Sequence, residues 1–421
     1  MKESEPAPGA ERTLERLVRR QRGRLIAGLV SRFGNHDLEL AEDVAQDAIE
    51  TALRVWPYEG IPDNPEGWLF RVARNRAIDH LRKAARSDSF DPPLHDEGAR
   101  DAEPDGVVVS GVRDPELRLI FLACHPELGE IDRIALTLRI VGGFSAKEIG
   151  SLFLSTESAM AQRLSRSKRR LRALGPARVA APTAFELAAR LNSVLKVVYL
   201  TFSVGYAPRS GERLIRRDVA DEAVRLAVTL ADPPATKGPG SSALAALLCL
   251  QASRLDARED DHGHPVLLED QDRSRWDRAL IDRGLGYLHD AMTGESPSRY
   301  HLEAGIAACH VLAPSWEQTD WGAILESYRA LEALTGSPIV RINRCVAQAF
   351  AGDPSGSLEH LDALPSGSLA DMGPLHIARA EILRRLDRTE EATECYRRAI
   401  ACGGSQPVLE HLERRLSSSF V

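Results

Sequence analysis

The sequence predicts an all-α protein, and three observations carry that prediction. Apolar residues recur every three or four positions through most of the chain, no stretch alternates apolar and polar residues convincingly, and the breaks are short Gly/Pro/Asp turns. A chain of 421 residues is too long for one core and calls for two or three domains. Its balance of 43% hydrophobic and 27% charged residues is that of an ordinary globular chain. No stretch approaches the roughly 20 apolar residues that cross a bilayer, and the N-terminus MKESEPAPGAERTLERL lacks the apolar run of a signal peptide. A cytoplasmic location without membrane contact is therefore expected. Six scattered cysteines with no Cys-x-x-Cys pair suit reduced thiols and oppose a zinc ribbon or a disulfide framework.

The first segment, residues 12–86, reads as helices around one loop. ELAEDVAQDAIETALRVW (39–56) is an acidic amphipathic helix with Leu40, Val44, Ala48, Ala52 and Leu53 as its apolar stripe. PYEGIPDNPEG (57–67) is the loop, and NPEGWLFRVARNRAIDHLRKAAR (64–86) is a second helix that starts at a proline. Leu69, Ala73, Ala77 and Leu81 define one face of it, and Arg71, Asn75, Arg82 and Arg86 the other. Trp56, Trp68 and Phe70 follow the apolar stripe and are read as core, with stacking on a displaced base as the competing role. Residues 87–113 hold seven acids against two bases, with several Pro and Gly, and read as a flexible acidic linker.

Residues 114–175 return to helix. In IDRIALTLRIVGGFSAKEIGSLFL, Ile134, Leu136, Leu138, Ile140 and Val141 line a helix that Gly142 and Gly143 end. Ser145 and Glu148 form a capping box for a short helix to about Phe153. Leu154 and Ser155 turn the chain, and Thr156 offers the next N-cap. STESAMAQRLSRSKRRLRA (155–173) then packs six Arg and Lys around an inward stripe of Met160, Leu164 and Leu171. Two helices joined by a tight turn, the second basic, make a helix-turn-helix signature. In that geometry Thr156, Glu157, Ser158, Gln162 and Arg163 lie toward base edges. Arg166, Lys168, Arg169, Arg170 and Arg172 hold phosphates. A helical hairpin with a solvated basic face is the competing reading.

Charge distribution favours the first. The chain carries a net −7, yet residues 130–174 hold nine Lys/Arg against four Asp/Glu. Residues 175–421 hold 27 against 33, so nucleic-acid binding belongs to the first part of the chain.

EDVAQDAIETALRVW, a short loop and PEGWLFRVARNRAIDHLRK together resemble region two of bacterial extracytoplasmic-function sigma factors, and Leu117–Leu174 resembles their region four. The stretch FLACHPELGEIDRIALTLRIVGGFSAKEIGSLFLSTESAMAQRLSRSKRRLR is similar to the subgroup with a long C-terminal helical extension, as are VVYLTFSVGYAP and LLEDQDRSRWDRALI. Where that subgroup usually reads Asn-Glu before Gly-Tyr, Ser203 and Val204 precede Gly205 and Tyr206. The resemblance implies binding to core RNA polymerase, through its β′ clamp and β flap, and to promoter DNA. It assigns Glu42, Asp43, Gln46, Asp47 and Glu50 as exposed residues docking on the clamp. The loop with Asp63 and Asn64 would capture a flipped base of the −10 element, with Arg71, Arg74, Asn75 and Arg82 on the strand around it. Region four would read the −35 element as duplex, and the acidic linker would thread the RNA channel, a solvated tether being the alternative.

Beyond residue 183 the pattern is helical, in two parts, 183–290 and 291–421. GDPSGSLEHLDAL and LDRTEEATECYRRAI align at a period of 34, placing Asp353 over Asp387 and Leu358 over Ala392, with Tyr328 and Tyr396 two periods apart. Ala380, Leu383, Ala392, Tyr396 and Ala399 fall where a tetratricopeptide repeat needs packing residues, an irregular bundle being the alternative. This acidic extension is expected to regulate the sigma domains in cis, through a regulatory protein or a ligand. His262 and His264 among the acids of EDDHGHPVLLEDQD read as a solvated loop, and Cys124 with His125 as packing. No phosphate loop, nucleophile elbow or HExxH motif is present, so neither catalysis nor a cofactor is expected. The rival from another class is a helix-turn-helix regulator with a helical sensor domain that never joins the polymerase.

Overall fold

The acidic helix sets the frame of the N-terminal part. In the computed structural model it runs over Leu38–Glu59 (α2), and its buried stripe is Leu38, Ala41, Glu42, Val44, Ala45, Ala48, Ile49, Ala52 and Trp56. The expected stripe was offset: Leu40 and Leu53 are only half-buried. The helix also passes Pro57, so the expected loop at 57–67 shrinks to 60–64, and Gly60 ends the helix at φ 86°. The structure describes residues 22–30, 32–33, 38–87, 115–153, 155–174, 184–207, 214–294, 296–364 and 372–418. Expectations for residues 12–21, for the linker beyond Ser87 and for Leu154 lie outside the described residues, as does the side chain of Arg86.

Two compact units divide the chain, Met1–Val197 and Val198–Val421. In the first, α1 (22–30) and α3 (Pro65–Ser87) complete a small helical module with α2. A Cβ on Gly28 would sit 3.0 Å from the Phe70 ring, so α1 and α3 approach closely there. Trp56 and Trp68 meet edge-to-face at 5.4 Å and tie α2 to α3. Trp56 is buried as expected, Trp68 and Phe70 are half-buried, and Leu81 is exposed rather than part of the stripe. Four helices form the second module: α4 (Pro115–Ala123), α5 (Glu130–Ile140), α6 (Ala146–Leu152) and α7 (Glu157–Ala173).

Local sequence explains the second module closely. Gly143 takes φ 72° after α5. Glu148 N–H donates to Ser145 Oγ at 3.1 Å while Ser145 N–H donates to the Glu148 carboxylate at 2.7 Å, the full capping box. Ala159 N–H donates to Thr156 Oγ1, which caps α7. A Cβ on Gly150 would lie 2.8 Å from the Ser155 carbonyl oxygen, so the turn between α6 and α7 is tight enough to require glycine there. Met160, Leu164 and Leu171 are buried, and each such side chain contributes roughly 1.5–3 kcal/mol on leaving water.

Helix α8 (Ala184–Tyr206) leads into the second unit. There α10 (Pro239–Ala252) is apolar nearly all round and packs against α9 (Arg217–Ala231), α11 (Arg278–Ala291) and α12 (Arg299–Leu312). Beyond α13 (Trp321–Thr335) come two helix pairs, α14 (Pro338–Phe350) with α15 (Pro354–Asp362), then α16 (Gly373–Arg385) with α17 (Thr389–Ala401), and finally α18 (Gln406–Ser418). Corresponding helices start at 338 and 373 and at 354 and 389, one residue more than the 34-residue register of the sequence. Leu358, Ala380, Leu383, Ala392, Tyr396 and Ala399 share one core. Tyr328 packs in a separate cluster with Ile306, Ile324 and Leu325, so the two tyrosines do not serve equivalent cores. Among the described residues there is no strand, and no helix is long and apolar enough to cross a membrane.

Candidate nucleic-acid interface

Two basic helices carry the candidate DNA contacts. On α3, Arg71, Asn75, Arg76 and Arg82 are exposed, and among the described residues no carboxylate pairs with them. Arg74 is half-buried and its Nε finds no hydrogen-bond acceptor. Asp63 is exposed in the loop, but the Asn64 side chain is engaged: Gly67 N–H donates to its Oδ1 at 2.8 Å, capping α3. Base capture by Asn64 would require it to leave that cap.

On α7, Glu157, Ser158, Gln162, Arg166, Arg169, Arg170 and Arg172 are exposed. Arg163 is half-exposed and lies 3.4 Å from Asp132 of α5. Lys168, expected on a phosphate, instead pairs with Glu42 of α2 and is mostly covered.

Glu42 is the main correction. Expected on the solvent face of α2, it is 3% exposed, held between the two modules. Its Oε1 lies 3.2 Å from Arg139 Nε and 3.8 Å from Arg22 Nη2, and its Oε2 pairs with Lys168 Nζ. Gln46 is also occupied, accepting from Arg22 at 2.6 Å and donating to Glu50 at 2.9 Å. Asp43 and Glu50 are exposed and Asp47 is half-buried. Burial first, and the Glu42 charge second, push the Asp43 carboxyl above its ordinary value. Two further contacts join the modules: a Cβ on Gly23 would fall 2.5 Å from the Val141 carbonyl oxygen, and Arg24 Nε lies 3.8 Å from Glu116. Sequence reasoning missed Arg22 and Arg139. Arg139 left a signal, a lone cation in the apolar run IALTLRI.

The minor candidates resolve simply. Asp260 accepts from the backbone N–H groups of His262 and His264 and pairs with the His264 ring at 3.1 Å, which organises a turn. Cys124 is buried against the Thr137 hydroxyl, and burial pushes its thiol up to about 11. Among the described residues no His, Cys, Asp and Glu group is arranged to hold a metal.

Two cationic helices on adjoining modules, one entering through a helix-turn-helix and both beside an acidic helix, define a DNA-binding protein of transcription. Residues 18–87 match Sigma-70 region 2 and residues 118–171 match Sigma-70 region 4. The chain belongs to the extracytoplasmic-function RNA polymerase sigma factors, with a C-terminal helical extension. It is 30% identical to the ECF RNA polymerase sigma factor SigM of Bacillus subtilis (strain 168) over 33% of this chain and 81% of the relative. It is 29% identical to the RNA polymerase sigma-H factor of Pseudomonas aeruginosa over 38% of this chain and 84% of that protein. An uncharacterized protein of Rhizobium meliloti (strain 1021) is 39% identical over 90% of this chain and 89% of its own length, extension included. Residues 190–292 match a family of unknown function, DUF6596. No solved structure matches the chain.

Proposed function

We propose that this sigma factor joins core RNA polymerase, reads the −10 element with the 60–64 loop and α3, reads the −35 element with α7, and is regulated in cis by residues 183–421. The observation that carries the reading is the pairing of an open basic face on α3 with a helix-turn-helix whose caps, turn and buried stripe are all formed. Asp43, Asp47 and Glu50 remain the clamp-docking residues on α2, with Glu42 reassigned to holding the two modules together. Domains follow as 12–86 for polymerase and −10 binding, 87–113 as linker, 114–175 for the −35 element, then 183–290 and tetratricopeptide-like 291–421 as extension.

In this arrangement Lys168 and Arg163 spend their charge inside the protein. Opening the Glu42 contact would free both modules to reach promoter elements that lie apart on DNA, which gives the extension a two-state element to bias. Transcription in vitro tests the proposal: the purified chain added to core polymerase should start transcripts from a cognate promoter without another sigma. Binding to duplex DNA with no polymerase dependence would favour the helix-turn-helix regulator instead. Removal of the chain beyond Pro182 should shift promoter activity in one direction, and unchanged activity would leave the extension without a regulatory role.

A further inference from the structure

Most partly buried arginines of the second unit have a carboxylate at hand: Arg344 lies 2.6 Å from Glu332, and Arg299 lies 2.8 Å from Glu303. Arg254 and Arg273 do not. Arg254, just past α10, is 6% exposed; its Nη2 donates to the neutral oxygens of Gln251 and Tyr206, at 2.5 and 3.2 Å, and its Nε has no acceptor. Arg273 donates from Nε to the Ala313 carbonyl at 3.2 Å and lies over the Trp276 ring, while its buried Nη2 has no acceptor. The carboxylate that Arg273 feels, Glu317, is exposed and engaged by the Ser315 hydroxyl.

The neighbours repeat the pattern. His310 on α12 is buried, with Nδ1 unsatisfied, and stacks on Trp316 with ring planes 5° apart. Burial, then the charges of Arg254 and Arg273, push its imidazole down to about 3. Backbone contacts join the three segments: Asp277 N–H donates to the Ser253 carbonyl at 2.8 Å, and Arg273 Nε reaches the Ala313 carbonyl just past α12. Trp276 Nε1 and Thr319 Oγ1 are buried and unsatisfied as well. Gln271 Oε1, an acceptor, is the exception on the same turn. Native interiors rarely leave buried donors unpaired, and they seldom gather guanidinium groups without an anion. Three of these atoms, on Arg254, Arg273 and Trp276, can only donate, two of them on cations, and the Thr319 hydroxyl and the His310 imidazole can donate as well. The partner that satisfies them together is rich in acceptors and negatively charged.

We infer that the C-terminal extension binds a small molecule through a phosphate or carboxylate group held by Arg254 and Arg273, with His310, Trp276 and Thr319 beside them. The site lies partly in the 190–292 segment of unknown function and partly in α12 and the turn before α13. It gives the proposed regulation a ligand class, and it stands or falls without polymerase or promoter.

The test is calorimetric titration of the full chain with inorganic phosphate in one arm and acetate in the other, each against chloride at matched ionic strength. Saturable one-site binding in the phosphate arm indicates a phosphorylated ligand, and in the acetate arm a carboxylate ligand. Arg273→Gln should weaken that binding about ten-fold or more, the loss expected for a charge-assisted contact. Arg254→Gln should do the same if it folds; Arg273, half-buried at the surface of the cluster, decides the matter if it does not. Removing an uncompensated cation should also leave the thermal midpoint of anion-free Arg273→Gln at or above that of the parent. No saturable binding in either arm, or full binding by Arg273→Gln, overturns the inference.

Discussion

Helices α3 and α7 carry similar sequence patterns, an apolar stripe opposed by a basic face, yet they present that face differently. Arg71, Arg76 and Arg82 of α3 stand exposed with no carboxylate partner among the described residues. On α7, Lys168 is pinned to Glu42, Arg163 leans on Asp132, and an Arg170 guanidinium nitrogen lies 3.5 Å from the Glu127 carbonyl oxygen. The difference arises from neighbours: both helices bury an apolar stripe, but the basic face of α3 meets no acid among the described residues, whereas that of α7 meets Asp132 of α5 and the buried Glu42 of the other module. Basic charge in a sequence is therefore capacity for DNA, and tertiary packing decides how much of it is on offer. On α3 the basic face is open as the structure stands; on α7, Arg166, Arg169 and Arg172 are open while Lys168 and Arg163 are held by acids within the protein.

Glu42→Gln breaks this comparison most severely. The change keeps the shape and removes the charge that Arg139, Lys168 and Arg22 surround, and leaving buried partners uncompensated costs about 3–5 kcal/mol. Urea unfolding of the full chain should show a first transition weakened by that order, with α7 cleaved sooner by trypsin. Unchanged unfolding together with weaker polymerase binding would return Glu42 to the docking face. Next in size is Arg163→Ala, which should cost about 1–3 kcal/mol in discrimination at the −35 element. Asp132→Ala, by releasing Arg163, should leave that discrimination intact or raise it. An unchanged preference for cognate over altered −35 sequences in Arg163→Ala would remove Arg163 from base reading.

How far this was legible in the sequence depended on range. The capping box of Ser145 and Glu148, the Thr156 cap and the Met160, Leu164 and Leu171 stripe are short-range features, set within one helical turn or two, and each is formed. The repeat core around Tyr396 was legible for the same reason. Glu42 was not. On a helical wheel it falls with Leu38, Ala45, Ile49 and Trp56, all buried, but a stripe counted from Leu40 in steps of four puts it in solvent. Its burial is made tolerable by Arg22 of α1 and by Arg139 and Lys168 of another module, about a hundred residues on, and no periodicity announces them. The arginines of the extension were hidden likewise, since the lack of a carboxylate beside Arg254 and Arg273 is a property of space.

A smaller effect separates the modules. Ser145→Ala removes one half of the capping box and should cost about 1 kcal/mol. Helix α6 spans only Ala146–Leu152 and packs against α7, so the loss should appear in −35 binding and leave contacts of the α3 module unchanged. A parallel loss at the −10 element would mean that the modules remain coupled when bound.

The finest distinction is ionic. Each phosphate contact made by a lysine or arginine releases condensed counterions, so losing one lowers the slope of log affinity against log salt by about one unit. Arg71→Ala, on the open face, should show that full unit in holoenzyme binding to promoter DNA. Lys168→Ala should show much less if Lys168 stays with Glu42 in the complex, because a charge neutralised within the protein displaces no counterion from DNA. A full unit for both variants would mean that the Glu42 contact opens on the promoter, and the masked face of α7 then belongs to the free protein alone.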